Sequence, residues 1–124
     1  MATTTTITES GQFVFAESTG QALGSFTFPT LINNVSNLSY PLQLTIGTSP
    51  ASVTLPISPV SFLFIYNGSN SGTLSVTWTP SGGSSASIIT LQPLSHITVS
   101  NGAITALSLT AQLASTPATV ILGG

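Results

Sequence analysis

VSFLFIYNGSNSGTLSVTWT, residues 60–79, holds two different strand patterns joined by a polar link. In the first limb Phe62, Phe64 and Tyr66 alternate with Leu63 and Ile65, so a strand here is apolar on both sides and needs protein on both. In the second limb Leu74, Val76 and Trp78 share one side while Ser75, Thr77 and Thr79 take the other, as in a half-buried antiparallel strand. The link, residues 67–72, is built of Asn, Gly and Ser, which tolerate positive φ or bond their own backbone. The spacing predicts a long β-hairpin with a polar tip.

Strand patterns continue outward from it. Downstream, PSGGSS at residues 80–85 reads as a flexible loop, and residues 86–91 and 94–99 as two strands broken by Gln92-Pro93. Ser100-Asn101-Gly102 carries an Asn-Gly hairpin signal into residues 103–113, where Leu107, Leu109, Ala111 and Leu113 face away from Ser108, Thr110 and Gln112. Upstream, QFVFA at residues 12–16 puts Phe13 and Phe15 on one face, residues 20–24 turn the chain, and Phe26 and Phe28 share a side until Pro29 ends the pairing. The Asn-rich residues 31–41 read as a long connection before Leu42, Leu44 and Ile46 resume alternation. Pro56 confines the strand at residues 51–57 to an edge or a bulge.

No stretch sustains a 3.6-residue apolar stripe with helix caps. Eight to ten short strands between Gly, Pro and Asn turns predict an all-β, two-sheet antiparallel β-sandwich with essentially no helix. The jelly roll is the preferred version, because the connections at residues 29–41 and 80–85 suit links that cross between sheets. The expected division is an extended Thr-rich N-terminal arm over residues 1–10, a β-sandwich domain over 11–117 and an apolar C-terminal tail over 118–124.

A chain of 124 residues is long enough to bury a core, and without cysteine it has neither disulfides nor thiolate metal ligands. Hydrophobic residues make up 41% of it and recur at period two, unlike a disordered polar tail. There is no Lys, Arg or Asp, and Glu9 and Glu17 are the only acids. Nothing can neutralise phosphates, so nucleic acid and the anionic membrane surface are excluded as partners. No apolar run approaches the roughly 20 residues of a membrane helix, and the start Met-Ala-Thr lacks the basic and apolar regions of a signal peptide. The sequons at Asn34, Asn37 and Asn67 arise readily by chance in a Ser/Thr-rich chain.

Few groups could carry chemistry: His96, Glu9, Glu17, Tyr40 and Tyr66. A Ser-His-acid relay needs an acid to orient the imidazole, and only the two glutamates are available. His96, between Leu94 and Thr98, reads as a surface or interface residue. Glu9 and Glu17 have the side chains of a glycosidase pair, but the Thr-rich arm and the loop at residues 18–20 that flank them read as solvated. One His and two Glu cannot close a metal shell without many backbone oxygens. Gly82-Gly83 and Gly123-Gly124 lack the strand, loop and helix with Lys that cradle a phosphate. Trp78 and the phenylalanines suggest a sugar-stacking platform, but Trp78, in phase with Leu74 and Val76, is expected in the core; the threonines do not recur at the short period of an ice-binding face. No catalytic, cofactor-binding or metal site is expected, and the chain is expected not to be an enzyme.

Ser and Thr, twenty of each, stand where most soluble domains place Lys and Glu. A β-protein ordinarily guards its edge strands with lysines, prolines or inward charges and keeps its net charge away from zero. Here only prolines remain, which fits edges that neighbouring subunits or a larger lattice cover. So few titratable groups leave pH and salt little to act on, and trypsin has nothing to recognise, which suits exposure outside a cell. With no secretion signal, the expected route is synthesis in the cytoplasm and exit as part of a particle.

Residues 62–99, FLFIYNGSNSGTLSVTWTPSGGSSASIITLQPLSHITV, resemble segments of small β-sandwich accessory proteins of tailed-bacteriophage virions. In those, a strand ending near YN leads to a Gly/Ser tip, then an LTVTWTP-GG-S strand and loop, then an apolar strand and an L-P turn. The matching residues are Tyr66-Asn67, Leu74 to Pro80, Gly82-Gly83, and Leu91 with Pro93, within a stretch that covers about a third of the chain. The resemblance implies a capsid decoration, cement or head-fibre protein on the capsid exterior, a homotrimer or dimer bound to the major capsid protein, with no catalytic residues to carry over. Residues 1–8 and Val120 to Leu122 are then the segments expected to reach onto neighbouring subunits. A tail or fibre component is the alternative among virion proteins, and a cell-surface adhesin or carbohydrate-binding module is the alternative of another class.

Overall fold

In the computed structural model, which describes residues 5–35, 37–83, 85–100 and 102–124, ten strands follow one another with no helix among the described residues. They are β1 (Thr5–Ala16), β2 (Ala22–Val35), β3 (Leu38–Ile46), β4 (Ala51–Ser52), β5 (Phe62–Asn67), β6 (Leu74–Pro80), β7 (Ser87–Leu91), β8 (His96–Val99), β9 (Ile104–Ala111) and β10 (Thr116–Gly123). The last eight form two four-stranded antiparallel sheets, ordered β3-β10-β5-β8 and β4-β9-β6-β7. The first strand of this set therefore pairs with the last, the second with the second last, and so inward to β6 and β7. That nested order is the jelly roll.

The two inner faces make the core. Leu63 and Ile65 of β5 and Val120 and Leu122 of β10 are buried in one cluster with Leu74 and Val76 of β6 and Leu107, Leu109 and Ala111 of β9. Trp78, half-buried, packs against the same cluster, in phase with Leu74 and Val76 as expected. The second apolar side of β5 is also covered: Phe62 is buried and Phe64 half-buried, and both line a groove beneath the base of β1 and β2.

The hairpin expected at residues 60–79 is not formed. β5 and β6 lie in opposite sheets, so residues 68–73 cross the sandwich. Asn67 makes the crossing possible. Its amide is fully buried, and Nδ2 donates to the carbonyls of Gly72 (2.9 Å), Leu91 (3.2 Å) and Gln92 (3.1 Å) while Oδ1 accepts from Ser69 N (3.0 Å). One side chain thus holds the β5–β6 crossing against the β7–β8 crossing. Buried in this way, Asn67 is no glycan acceptor. The Asn-Gly hairpin expected after β8 is absent for the same topological reason, since β8 and β9 are in opposite sheets; Asn101 itself lies outside the described residues.

Three further expectations change. Residues 118–124 are not a tail: Ala118 to Gly123 belong to β10, paired with β3 on one side and β5 on the other, with Ala118, Val120 and Leu122 in the core. The long connection expected at residues 31–41 is not found, because β2 continues past Pro29 to Val35 and β3 begins at Leu38. Glu9 pairs with Leu31 and Gly11 with Phe28, so Pro29 and Thr30 bulge opposite Ser10, where a residue without N–H costs no ladder bond. The strand expected at residues 51–57 shortens to Ala51–Ser52, ahead of Pro56.

Candidate functional site

Residues 5–35 form a long two-stranded hairpin rather than an arm followed by the first sandwich strands. β1 and β2 pair from Thr5 opposite Val35 to Ala16 opposite Ala22, and among the described residues pair with no other strand. Glu17 N donates to Gln21 O and Gly20 N to Glu17 O, both at 2.8 Å, closing a turn in which Gly20 takes a φ of 91°. Twelve residues of β1 extend about 40 Å, well beyond sandwich strands of four to nine residues apart from the short β4. The base is seated on the β3-β10-β5-β8 sheet and the tip projects.

The seat is marked by one glycine and one polar latch. A Cβ on Gly123 would lie 3.0 Å from Val35 Cγ1 and 3.1 Å from Ile7 Cδ1, so the bare backbone there lets the hairpin come this close. The Glu9 carboxylate accepts a hydrogen bond from the Ser100 hydroxyl, tying β1 to the end of β8. Between the base and the sheet runs an open groove of about 430 Å³, walled by Ile7, Phe28, Phe62, Phe64 and Ile121, with Glu9, His96 and Thr98 among its polar groups.

The groove brings together Glu9 and His96, which lie 87 positions apart in the chain. His96 is exposed, and its ring lies 5.6 Å from that of Phe64. Glu17 sits at the other end of β1. Eight residues of extended chain put it about 26 Å from Glu9, whereas the carboxylates of a glycosidase stand no more than about 9.5 Å apart. Tyr66 is half-buried on the outward face of β5, and the side chain of Tyr40 lies outside the described residues.

At the tip the chemistry is apolar. Phe13 opposite Phe26, Phe15 opposite Gly24 and Gly11 opposite Phe28 put four rings on one face. Phe13 and Phe28 are 6.0 Å apart, and the Phe28 ring lies directly over Gly11. Phe13, Phe15 and Phe26 are nevertheless 53–60% exposed, and on the opposite face Val14 and Leu23 are 62–70% exposed. The paired spacings Phe13/Phe15 and Phe26/Phe28 about a Gly-containing turn are the sequence signal for this hairpin. Their projection into solvent is not in the pattern. The sandwich adds edge strands β3, β8, β4 and β7, and where β3 and β4 meet, Leu42, Leu44 and Val53 line a second open groove of about 330 Å³.

No protein-family model matches the chain, and no curated protein and no solved structure matches it either.

Proposed function

We propose that this chain is a structural virion protein of a bacteriophage, without enzymatic activity: a decoration or cement subunit on the outer capsid shell that acts as a homo-oligomer and binds the major capsid protein. The observation that carries the proposal is the projecting β1–β2 tip with its exposed phenylalanines. A two-stranded ribbon is marginal by itself in water, and an apolar patch of this size on a lone subunit is an aggregation liability. Both problems vanish when another protein surface covers the tip. The jelly roll, which recurs in capsid proteins, adds support by analogy of fold alone. Trp78, the ring that the carbohydrate-binding alternative would lay on a sugar, is half-buried against the core, which leaves that reading only the exposed phenylalanines of the tip.

Without Lys or Arg, contacts made by this protein rest on apolar burial and backbone pairing. Its association is therefore expected to survive molar sodium chloride and to tighten in ammonium sulfate, the reverse of an ion-paired interface. Sedimentation velocity across both salts reads this out, and dissociation by sodium chloride would show that charge carries the contact. The proposal itself is tested on gradient-purified particles of the phage that encodes the chain. Mass spectrometry is expected to find it at fixed stoichiometry, and particles lacking it to lose DNA at lower temperature. Its absence from the particles would refute the proposal.

A further inference from the structure

Among the described residues, one face of the β1–β2 tip leaves three rings more than half exposed. Phe13, Phe15 and Phe26 project from that face, Leu31 at 39% exposure continues the stripe toward the groove, and Phe28 lies half-buried at its mouth. Within the stripe the chain shows how it packs a ring on itself: a Cβ on Gly11 would meet Phe28 Cζ at 2.3 Å. Gly24, opposite Phe15 on the same face, is the counterpart. There no atom lies within 4 Å of where a Cβ would sit. Projecting rings beside an unfilled glycine notch make a self-complementary relief.

We infer that this phenyl face is the self-association surface: two copies lay their β1–β2 tips face to face, with a ring of each seated over Gly24 of the other. The inference rests on the assembly proposed above and names the surface that performs it. Face-to-face sheets interdigitate their side chains at about 10 Å separation, a spacing that phenyl groups fill. Each exposed ring offers roughly 100 Å² and the stripe about 450 Å² per copy, so a pair buries about 900 Å², the range of a weak, reversible dimer.

The chemistry favours a second copy over other occupants. Glu17, at the turn, is the only charged residue between Ser10 and Thr30, so the tip has no charge pattern with which to select a different protein. An isologous pair needs none. A lipid anchor would flank its apolar residues with Lys or Arg, and the chain has neither.

The test is sedimentation equilibrium of the full chain over a dilution series, comparing the unaltered protein with F13S/F26S on the phenyl face and V14S/L23S on the opposite face. The unaltered chain is expected to show a monomer–dimer equilibrium. F13S/F26S should raise its Kd by roughly 30-fold or more, as loss of anchor aromatics does, and V14S/L23S should leave it unchanged. Urea unfolding establishes that each variant keeps the sandwich, and F15S repeats the comparison if the double variant does not fold. A monomer at every concentration, a dimer that persists in F13S/F26S, or equal weakening by both double variants overturns the inference. So does a monomer that floats with phosphatidylcholine vesicles. Particle composition is read separately: a dimer missing from virions sinks the virion proposal alone, and an oligomer that forms on virions unmoved by F13S/F26S sinks this inference alone.

Discussion

A chain lacking residues 118–124 is expected not to fold, rather than to fold and fail only in assembly. Those residues supply most of β10, which is hydrogen-bonded to β3 and to β5 in the middle of one sheet. Removing them strips the core of Ala118, Val120 and Leu122 and leaves both neighbours with an unpaired edge. Burial of Val and Leu stabilises by about 1.5–3 kcal/mol each, and the lost ladder and cavity add to that, against a total stability of only about 5–15 kcal/mol. Val120→Asp, an unpaired carboxylate among Leu and Ile, is expected to cost about 4 kcal/mol or more without shortening the chain. Far-UV circular dichroism and urea midpoints decide between the outcomes. A truncated chain with native spectrum and midpoint would mean that these residues act outside the folded body of the chain.

The second large effect is expected at Asn67, and it should depend on pH. Asn67→Ala leaves the carbonyls of Gly72, Leu91 and Gln92 without their buried donor and should cost about 3 kcal/mol. Asn67→Asp keeps the shape but points carboxylate oxygens at those carbonyls. Burial and the carbonyl dipoles both oppose ionisation, so the folded-state pKa of the new acid lies above its unfolded value of about 3.9. The folded state then binds the proton more tightly. Stability is greatest below about pH 4 and falls as pH rises through the folded pKa, because only the protonated acid donates a bond. The unaltered amide does not titrate, so urea midpoints at acid and neutral pH should converge toward the parent only for the acid form. An Asn67→Asp variant equally stable at both pH values would refute the role assigned to this side chain.

The contrast between Leu63 and Asn67 shows what period-two patterns convey. Alternation states which residues share a face, and it placed Leu63 and Ile65 opposite Phe62 and Phe64, as found. It does not state which strand lies alongside. A hairpin turn and a crossing between sheets are both written in Asn, Gly and Ser, so residues 67–72 read as the former and proved to be the latter. Residues 118–123 carried the same doubly apolar signature as β5, with Ile121 outward and Val120 and Leu122 inward, but their place after Pro117 made them look peripheral. Pro29 looked like a stop, and a bulge opposite Ser10 absorbed it. The Glu9–Ser100 latch and the groove shared by Glu9 and His96 exist only once the hairpin lies across the sheet, so no local pattern contained them.

The same topology sets two clocks. β1 and β2 are joined by five residues, and a hairpin of that kind zips on the order of microseconds, whereas β3 must find β10 across some seventy intervening residues, which puts all-β topologies in the range of roughly milliseconds to seconds. During synthesis or refolding the phenyl-bearing ribbon, marginal by itself, therefore closes and reopens many times before the body behind it forms. Encounters between nascent chains then compete with completion of each one, so refolding yield should fall as protein concentration rises while the refolded molecules themselves stay unchanged.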